Sequence, residues 1–323
     1  MNDTWIWNRY WHSDRIASCF DDNGLRNYDD RVVADWHAFF GRLPNGTAIL
    51  DLCTGNGAIA VIAAEIGGRQ DKEFDVVAVD QAEIDPQSYV TRHQAALSTI
   101  RFRAGVPVES LPFSDKSFGA VVSQYGLEYS DLTRSVPELC RVIAPAGRVR
   151  LVMHTAEGTV AQISKRIIAD VDFLLDEIDL AGVAQRCFQA VPAVERNRSA
   201  SADERLLARQ SLAAFDAASK RTAERIKTAA DPATLCNSAA TLIDAYERRG
   251  HFEVRQLVAI AERVKIEDQA HRGRLQALVK AAVTRPQRAD IAGQLRRAGA
   301  RRVEESDLMV EGSLIGHVVE AGF

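Results

Sequence analysis

The residues of this chain best suited to chemistry stand at the ends of short apolar runs. Ala48-Ile49-Leu50 ends at an acid, Asp51; Leu52-Cys53-Thr54 then leads into two glycines, Gly55 and Gly57, before an Ala/Ile/Val-rich helical pattern opens at Ala58. Strand, tight turn and helix in that order let a ligand approach bare backbone. The helix N-terminus also turns free N–H groups and a partial positive charge into the turn. A second acid, Asp80, ends the run Phe74–Val79. An acid at that strand tip, about 20 residues beyond a glycine loop, is placed to hold two ribose hydroxyls. His154 ends a later apolar run, and its intrinsic pKa suits a general base near neutrality. The plainer alternative is a histidine hydrogen-bonded at a strand end with no catalytic part. Tyr125, Glu128 and Tyr129 follow a fourth apolar run and are the other candidates for an acceptor pocket. Glu128 either orients a cationic acceptor or is a solvated acid at a helix start.

These groups need a frame, and the chain supplies one. Apolar runs at 48–52, 74–79, 100–104, 118–123 and 149–154 alternate with helical patterns at 58–66, 85–97 and 138–143. That alternation predicts a parallel, doubly wound α/β sheet with right-handed crossovers, and ligands collect at the carboxyl ends of such strands. Asp85-Pro86 is read as the start of a helix with Tyr89, Ala95 and Leu97 in its core. Ala144-Pro145-Ala146-Gly147 is read as the break before the fifth strand. A dinucleotide site competes for the same loop, because Ala60 can stand for the third glycine of Gly-x-Gly-x-x-Gly.

With these blocks in place the sequence is similar to the class I S-adenosylmethionine-dependent methyltransferases. It most resembles the methyltransferase type 11 branch, which includes the ubiquinone and menaquinone biosynthesis C-methyltransferases. The likeness rests on Ile49-Leu50-Asp51-Leu52-Cys53-Thr54-Gly55-Asn56-Gly57, Val79-Asp80, Leu111-Pro112-Phe113 with Ser117-Phe118, and Arg141-Val142-Ile143-Ala144-Pro145-Ala146-Gly147. The Leu111-Pro112-Phe113 and Pro145-Ala146-Gly147 blocks tip the choice away from a dinucleotide. The resemblance implies a seven-stranded, mostly parallel Rossmann-like sheet and S-adenosyl-L-methionine as cofactor. It places Asp51 and the loop Cys53, Thr54, Gly55 and Gly57 under the methionine part. Asp80, with Gln81 beside it, would lie at the ribose hydroxyls, Pro107 and Val108 at the adenine, and Gln124 on the methionine side. At the adenine position the chain departs from the family, which usually has an acid or amide there. Pro107 offers neither a side-chain acceptor nor a backbone donor, which leaves the Val108 N–H to meet the ring. Cys53 replaces the first glycine of the loop and is read as a packing residue, not a nucleophile.

Around this core, residues 1–46 are read as a helical cover. Trp5, Trp7, Tyr10, Trp11 and His12 cluster near the N-terminus and either cap a substrate pocket or anchor the first helix. Asp21-Asp22-Asn23-Gly24 is a turn signal, and Val32, Val33, Trp36, Phe39 and Phe40 recur at helical spacing. Residues 47–154 are the cofactor-binding core, and residues 155–288 a helical insertion. In that insertion Val160, Ile163, Ile167, Val171, Leu174 and Ile178 form one amphipathic stripe. Ser201 with Glu204 is a capping box, Asp231-Pro232 opens another helix, and Gly273 marks a possible break in the last. The insertion is read as a lid or a homodimerisation arm. Residues 248–302 carry 14 Lys/Arg against 5 Asp/Glu, which is either a docking stripe for RNA or protein or a solvated helical face. Residues 289–323 are read as a helix and β-hairpin that complete the core sheet.

Composition narrows the rest. A net charge of −4 gives no whole-chain reason to bind nucleic acid or a membrane surface. No apolar run reaches the roughly 20 residues of a bilayer span, and the first residues lack the pattern of a signal peptide. Five scattered cysteines without Cys-x-x-Cys spacing fit a reducing cytoplasm and no metal site. The expectation is therefore a cytoplasmic methyltransferase acting on a small-molecule acceptor, by O- or C-methylation. The alternatives are a methyltransferase docked on RNA or protein, and a non-catalytic cofactor-binding regulator or scaffold.

Overall fold

In the computed structural model, residues 4–18, 27, 28 and 30–323 are described; the expected turn at Asp21–Gly24 lies outside them. The chain divides into two compact units, one of residues 1–161 and 278–323 and the other of residues 162–277.

The first unit is built on seven strands: β1 (Ala48–Leu52), β2 (Asp75–Val79), β3 (Arg101–Arg103), β4 (Phe118–Gln124), β5 (Ile143–Met153), β6 (Arg302–Val310) and β7 (Ser313–Gly322). Their order across the sheet is β3-β2-β1-β4-β5-β7-β6, with β1 to β5 parallel and β7 antiparallel to both neighbours. Successive side chains of a strand point to opposite faces. Ile49, Val76, Ala78, Ala120 and Val122 accordingly pack on one side with Trp36, Phe39 and Phe40 of helix Asp30–Gly41 and with helix Ala58–Arg69. Leu50, Val77, Val79 and Val121 pack on the other, with Leu139 of helix Leu132–Val142 and with Ile291 and Leu295 of helix Arg285–Arg297. Both faces are covered, which is why these strands are apolar runs without alternation. The strand order reverses between β1 and β4, and at such a switch point the loops part to leave a crevice.

Several elements depart from their expected form. The 85–97 stretch is two single turns, Pro86–Tyr89 and Gln94–Leu97. Val90 is extended and His93 left-handed between them, so Leu97 is buried but Ala95 is exposed. Strand β5 runs through the Pro-Ala-Gly block instead of starting after it. Its register against β4 shifts between Phe118 and Ala120, and Ala146 takes φ 63° in the extra loop of chain. The helix before β6 starts at Arg285, because Pro286 is welcome in a first turn.

In the helical unit, the stripe from Val160 is helical only to Asp172 and continues as a π-turn, Phe173–Glu177. Helix Val254–Ala281 passes Gly273 unbroken, a cost of about 1 kcal/mol that the rest of a long helix absorbs. Ser201 and Glu204 form the capping box that opens helix Ala202–Ile226, and Asp231 caps helix Pro232–Glu247 through Ala233 and Thr234. Leu174, Phe188, Phe215, Leu235, Leu242 and Leu257 are central to its core. Within this unit Arg249 pairs with Glu195, Lys265 with Asp179, and Arg272 with Asp172 and Asp176. In the first unit Arg288 pairs with Glu157 and Asp307, and Arg302 with Glu304. Much of the basic run 248–302 is thus already neutralised by acids from elsewhere in the chain. Among the described residues no helix is long and apolar enough to cross a membrane. No group of three or more His, Cys, Asp or Glu among them is placed to hold a metal ion.

Candidate active site at the carboxyl ends of the strands

Strand β1 is followed by Cys53 in a left-handed conformation, φ 54°, and Gly55 and Gly57 come next at φ 55° and 90°. Three positive-φ residues within five turn the chain sharply into helix Ala58–Arg69, and two of them are glycine because only glycine takes that shape without strain. Leu52 carbonyl accepts from the Ser123 hydroxyl at 3.0 Å, and Thr54 N–H donates to the Val79 carbonyl at 3.0 Å, which ties the loop to β4 and β2.

Two acids lie beneath and beside this loop. Asp51 is 1% exposed; its Oδ2 accepts from the Thr54 hydroxyl at 2.6 Å, and burial pushes its pKa up to about 7. Asp80, at the tip of β2, accepts from Gly55 N–H at 2.8 Å through Oδ2 and from Ala82 N–H at 2.8 Å through Oδ1. Burial raises its pKa, against the pull of those N–H groups and that of Gln81. The acid of β2 thus helps to shape the glycine loop of β1. Burial drives the Cys53 thiol well above its ordinary range, as befits a packing residue.

The other expected cofactor residues border the same place. Val106 N–H donates to the Asp80 carbonyl at 2.9 Å, bringing the following Pro107-Val108 beside the β2 tip. Val108 is buried against the core, Pro107 is half-buried, and the Gln81 side chain is exposed. Gln124, at the end of β4, is buried, and its Oε1 accepts from Trp36 Nε1 at 2.6 Å.

On the β4–β5 side, Tyr125 (φ 53°) and Gly126 turn the chain so that Glu128 meets His154. Glu128 Oε1 lies 2.8 Å from the main-chain nitrogen and 2.9 Å from Nδ1 of His154, with both side chains buried. Glu128 is therefore not the solvated acid of the alternative reading. Tyr125 stacks on the His154 ring at 4.2 Å, and its hydroxyl donates to the Ile315 carbonyl at 3.4 Å. Toward His154 it presents a ring face, not its hydroxyl. Tyr129 meets the same imidazole edge-on at 6.3 Å.

Two residues of this neighbourhood are not evident as site residues in the sequence. Trp11, at the end of helix Thr4–Trp11, lies on Gly55 so closely that a Cβ there would come within 2.3 Å of the ring. The side-chain amide of Asn56 donates to the carbonyls of Trp11, Ser13 and Arg15 at 3.0, 3.3 and 2.7 Å. The tryptophan cluster near the N-terminus was the only signal of this contact.

Among the described residues, three of the buried side-chain polar atoms without a hydrogen-bond partner lie here: Asn56 Oδ1 in the loop, Gln124 Nε2 at the tip of β4, and Glu128 Oε2 beside His154. Buried polar groups are otherwise almost always paired, so unmet acceptors and donors on adjacent loops are what a ligand site looks like without its ligand. The chemistry available is recognition of a polar molecule by acids and amides, next to a buried imidazole–carboxylate pair.

Residues 49–147 match a family model described as a methyltransferase domain. An uncharacterized methyltransferase of Mycobacterium bovis is 30% identical over 135 residues, 41% of this chain and 51% of that protein. A 2-phytyl-1,4-naphtoquinone methyltransferase of Thermosynechococcus vestitus is 27% identical over 155 residues, 46% of this chain and 65% of that protein. Among solved structures, a geranyl diphosphate methyltransferase with its substrate and sinefungin aligns with TM-score 0.37 at 16% identity, over 48% of this chain and 67% of that one. The chain spans about half the length of the first of these relatives.

Proposed function

We propose that this protein, whose residues 49–147 match a methyltransferase domain, is an S-adenosylmethionine-dependent methyltransferase acting on a small-molecule acceptor. The observation that carries the reading is Asp80. It is a buried acid at the β2 tip whose two oxygens already grip the Gly55 and Ala82 N–H groups, beside a loop with unmet polar atoms. The residues present fit the cofactor. Asp80 has acceptor capacity left for ribose hydroxyls, since a carboxylate offers about four acceptor sites and the N–H groups of Gly55, Ala82 and Gln81 use three. Asp51 and the unpartnered Gln124 Nε2 are an acceptor and a donor for the amino and carboxylate ends of a methionine. Val108 supplies apolar contact for adenine, with Gln81 and Pro107 at its edge.

When bound, the sulfonium cofactor supplies an electrophilic methyl group, and the chain's task is to position and desolvate the acceptor in line with it. Where Glu128 Oε1 accepts from Nδ1–H of His154, the lone pair of the ring is on Nε2. That tautomer takes a proton from a hydroxyl or an acidic carbon as the acceptor gains its methyl group. Tyr125 holds the imidazole plane by stacking on it. O- or C-methylation follows from a base of this kind, and the relatives that act on naphthoquinones support a ring-bearing acceptor. The cytoplasm is the setting we assign, where free cysteines such as Cys53, Cys140, Cys187 and Cys236 stay reduced.

The test is a calorimetric titration of the protein with S-adenosylmethionine and with S-adenosylhomocysteine, alongside Asp80→Asn. Micromolar binding by the wild type, weakened at least about tenfold by the substitution, is expected from the loss of a charge-assisted hydrogen bond. Folded wild-type protein that binds neither ligand would overturn the reading.

A further inference from the structure

The cradle just described is covered by its own chain. Asp51, Thr54, Asn56 and Asp80 are each less than a tenth exposed. The cover over Gly55 is Trp11, which packs with Ala82 and Ile84 of the segment after Asp80 and with Phe102 of β3. Nothing the size of a nucleoside reaches Gly55 or Asp80 while that indole lies on the loop.

We propose that residues 4–15 are a hinged strap over the cofactor cradle, and that it must lift before a ligand enters. This rests on the cofactor reading above. Among the described residues, the strap is latched to the chain that borders the cradle at three places. Asn56 grips the carbonyls of Trp11, Ser13 and Arg15 from within the glycine loop. Asp14 accepts from the Thr91 N–H at 2.9 Å and from its hydroxyl at 2.7 Å. Asn8 Oδ1 accepts from Glu83 N–H at 2.9 Å, while His12 Nε2 lies 2.6 Å from the Glu83 carbonyl and its ring stacks on Tyr89. The anchor beyond the strap is Ile16-Ala17, buried in the main core, so residues before it can swing while those after it stay.

The strap also reaches the acceptor side. Trp7 lies one helical turn before Trp11 and therefore shares its face. Its ring meets Tyr129 edge-on at 5.3 Å, and Tyr129 in turn meets His154. One movement of helix Thr4–Trp11 thus uncovers the glycine loop and parts from the Tyr129 ring that meets the imidazole. The latches are polar and mostly at the surface, whereas the indole face is apolar. This is the make-up of a segment that opens at modest cost and closes to exclude water.

The experiment is stopped-flow mixing of the full chain with S-adenosylhomocysteine, followed by tryptophan emission. Three proteins are compared: wild type, Asp14→Ala and Asn8→Ala. Both substitutions lie outside the glycine loop and loosen only the latches. The observed rate for wild type is expected to level off at high ligand, at the rate of strap opening. Each variant is expected to raise that plateau about fivefold, the effect of losing a hydrogen bond or two at a surface. Binding by the variants but not by wild type would also support the strap. A wild-type rate that rises linearly with ligand and is unchanged in both variants overturns the strap and leaves the cofactor reading intact. No binding by any of the three overturns the cofactor reading and the strap with it.

Discussion

One oxygen of Glu128 serves both the main-chain nitrogen and the Nδ1 of His154, at 2.8 and 2.9 Å. The carboxylate therefore holds the chain just past β5 and fixes the side chain that follows the strand at once. Glu128→Ala leaves a buried N–H and a buried ring nitrogen without an acceptor, which costs about 2–4 kcal/mol. Glu128→Gln keeps one acceptor oxygen and is expected to cost about 1 kcal/mol. Urea titration of the two variants checks the order; equal stabilities would mean that the contact holds nothing in place.

Gly126 and Cys53 face each other across the tips of β4 and β1. A Cβ at Gly126 would meet Cys53 Cβ at 2.3 Å and its carbonyl oxygen at 3.0 Å. Gly126→Ala is therefore expected to destabilise by about 1–3 kcal/mol through overpacking. Cys53→Gly alone removes a left-handed non-glycine residue and relieves about 1 kcal/mol of backbone strain. Because the clash is with the cysteine side chain, the double variant is expected to recover most of the loss. A double-mutant cycle with no coupling between the two positions would refute this.

How much of this was legible beforehand follows from what each residue depends on. The sheet was readable because strands buried on both faces must be apolar throughout, and Asp51, Gly55, Gly57 and Asp80 stand at the ends of such runs. His154 and Glu128 were each visible as candidates, but their pairing depends on how β4 and β5 align, which no local pattern encodes. The part of Tyr125 is hidden for a similar reason: the left-handed turn at that residue sends the hydroxyl to Ile315 and the ring to His154. Trp11 on Gly55 and the grip of Asn56 on the N-terminal carbonyls join residues about 40 positions apart. The break at Val90 and the unbroken passage of helix Val254–Ala281 past Gly273 are tertiary overrides of local preference.

The capping boxes offer a local test in the helical unit. Ser201 Oγ accepts from Glu204 N–H at 3.2 Å, and Glu204 Oε2 accepts in return from Ser201 N–H at 2.6 Å. Ser201→Ala is expected to lower stability by about 1 kcal/mol, and Ser201→Asp to change it by only a few tenths. Amide exchange at Glu204 and Arg205 reads the effect where it arises. Unaltered exchange in Ser201→Ala would mean that packing alone fixes this helix start.

Asp51 gives the protein a pH dependence whose sign is fixed. Its pKa in the folded chain is about 7, above the 3.8 of the free group, and burial is the leading cause. Folded protein therefore holds this proton more tightly than unfolded protein does between those values. The resulting stabilisation is complete below about pH 4 and is lost as pH rises through about 7. Asp51→Asn cannot ionise, so it should remove this part of the slope and leave the variant relatively more stable at pH 8 than at pH 5. Denaturation of both proteins across that range measures it, and parallel curves would show that Asp51 does not titrate there. The same ionisation should act oppositely on the cofactor. A charged Asp51 attracts the methionine ammonium, so affinity for S-adenosylhomocysteine is expected to climb as pH rises through about 7 in wild type and to stay flat in Asp51→Asn. Stability and ligand affinity would then move in opposite directions with pH at one carboxylate, as expected of a charge kept in the core for what it binds.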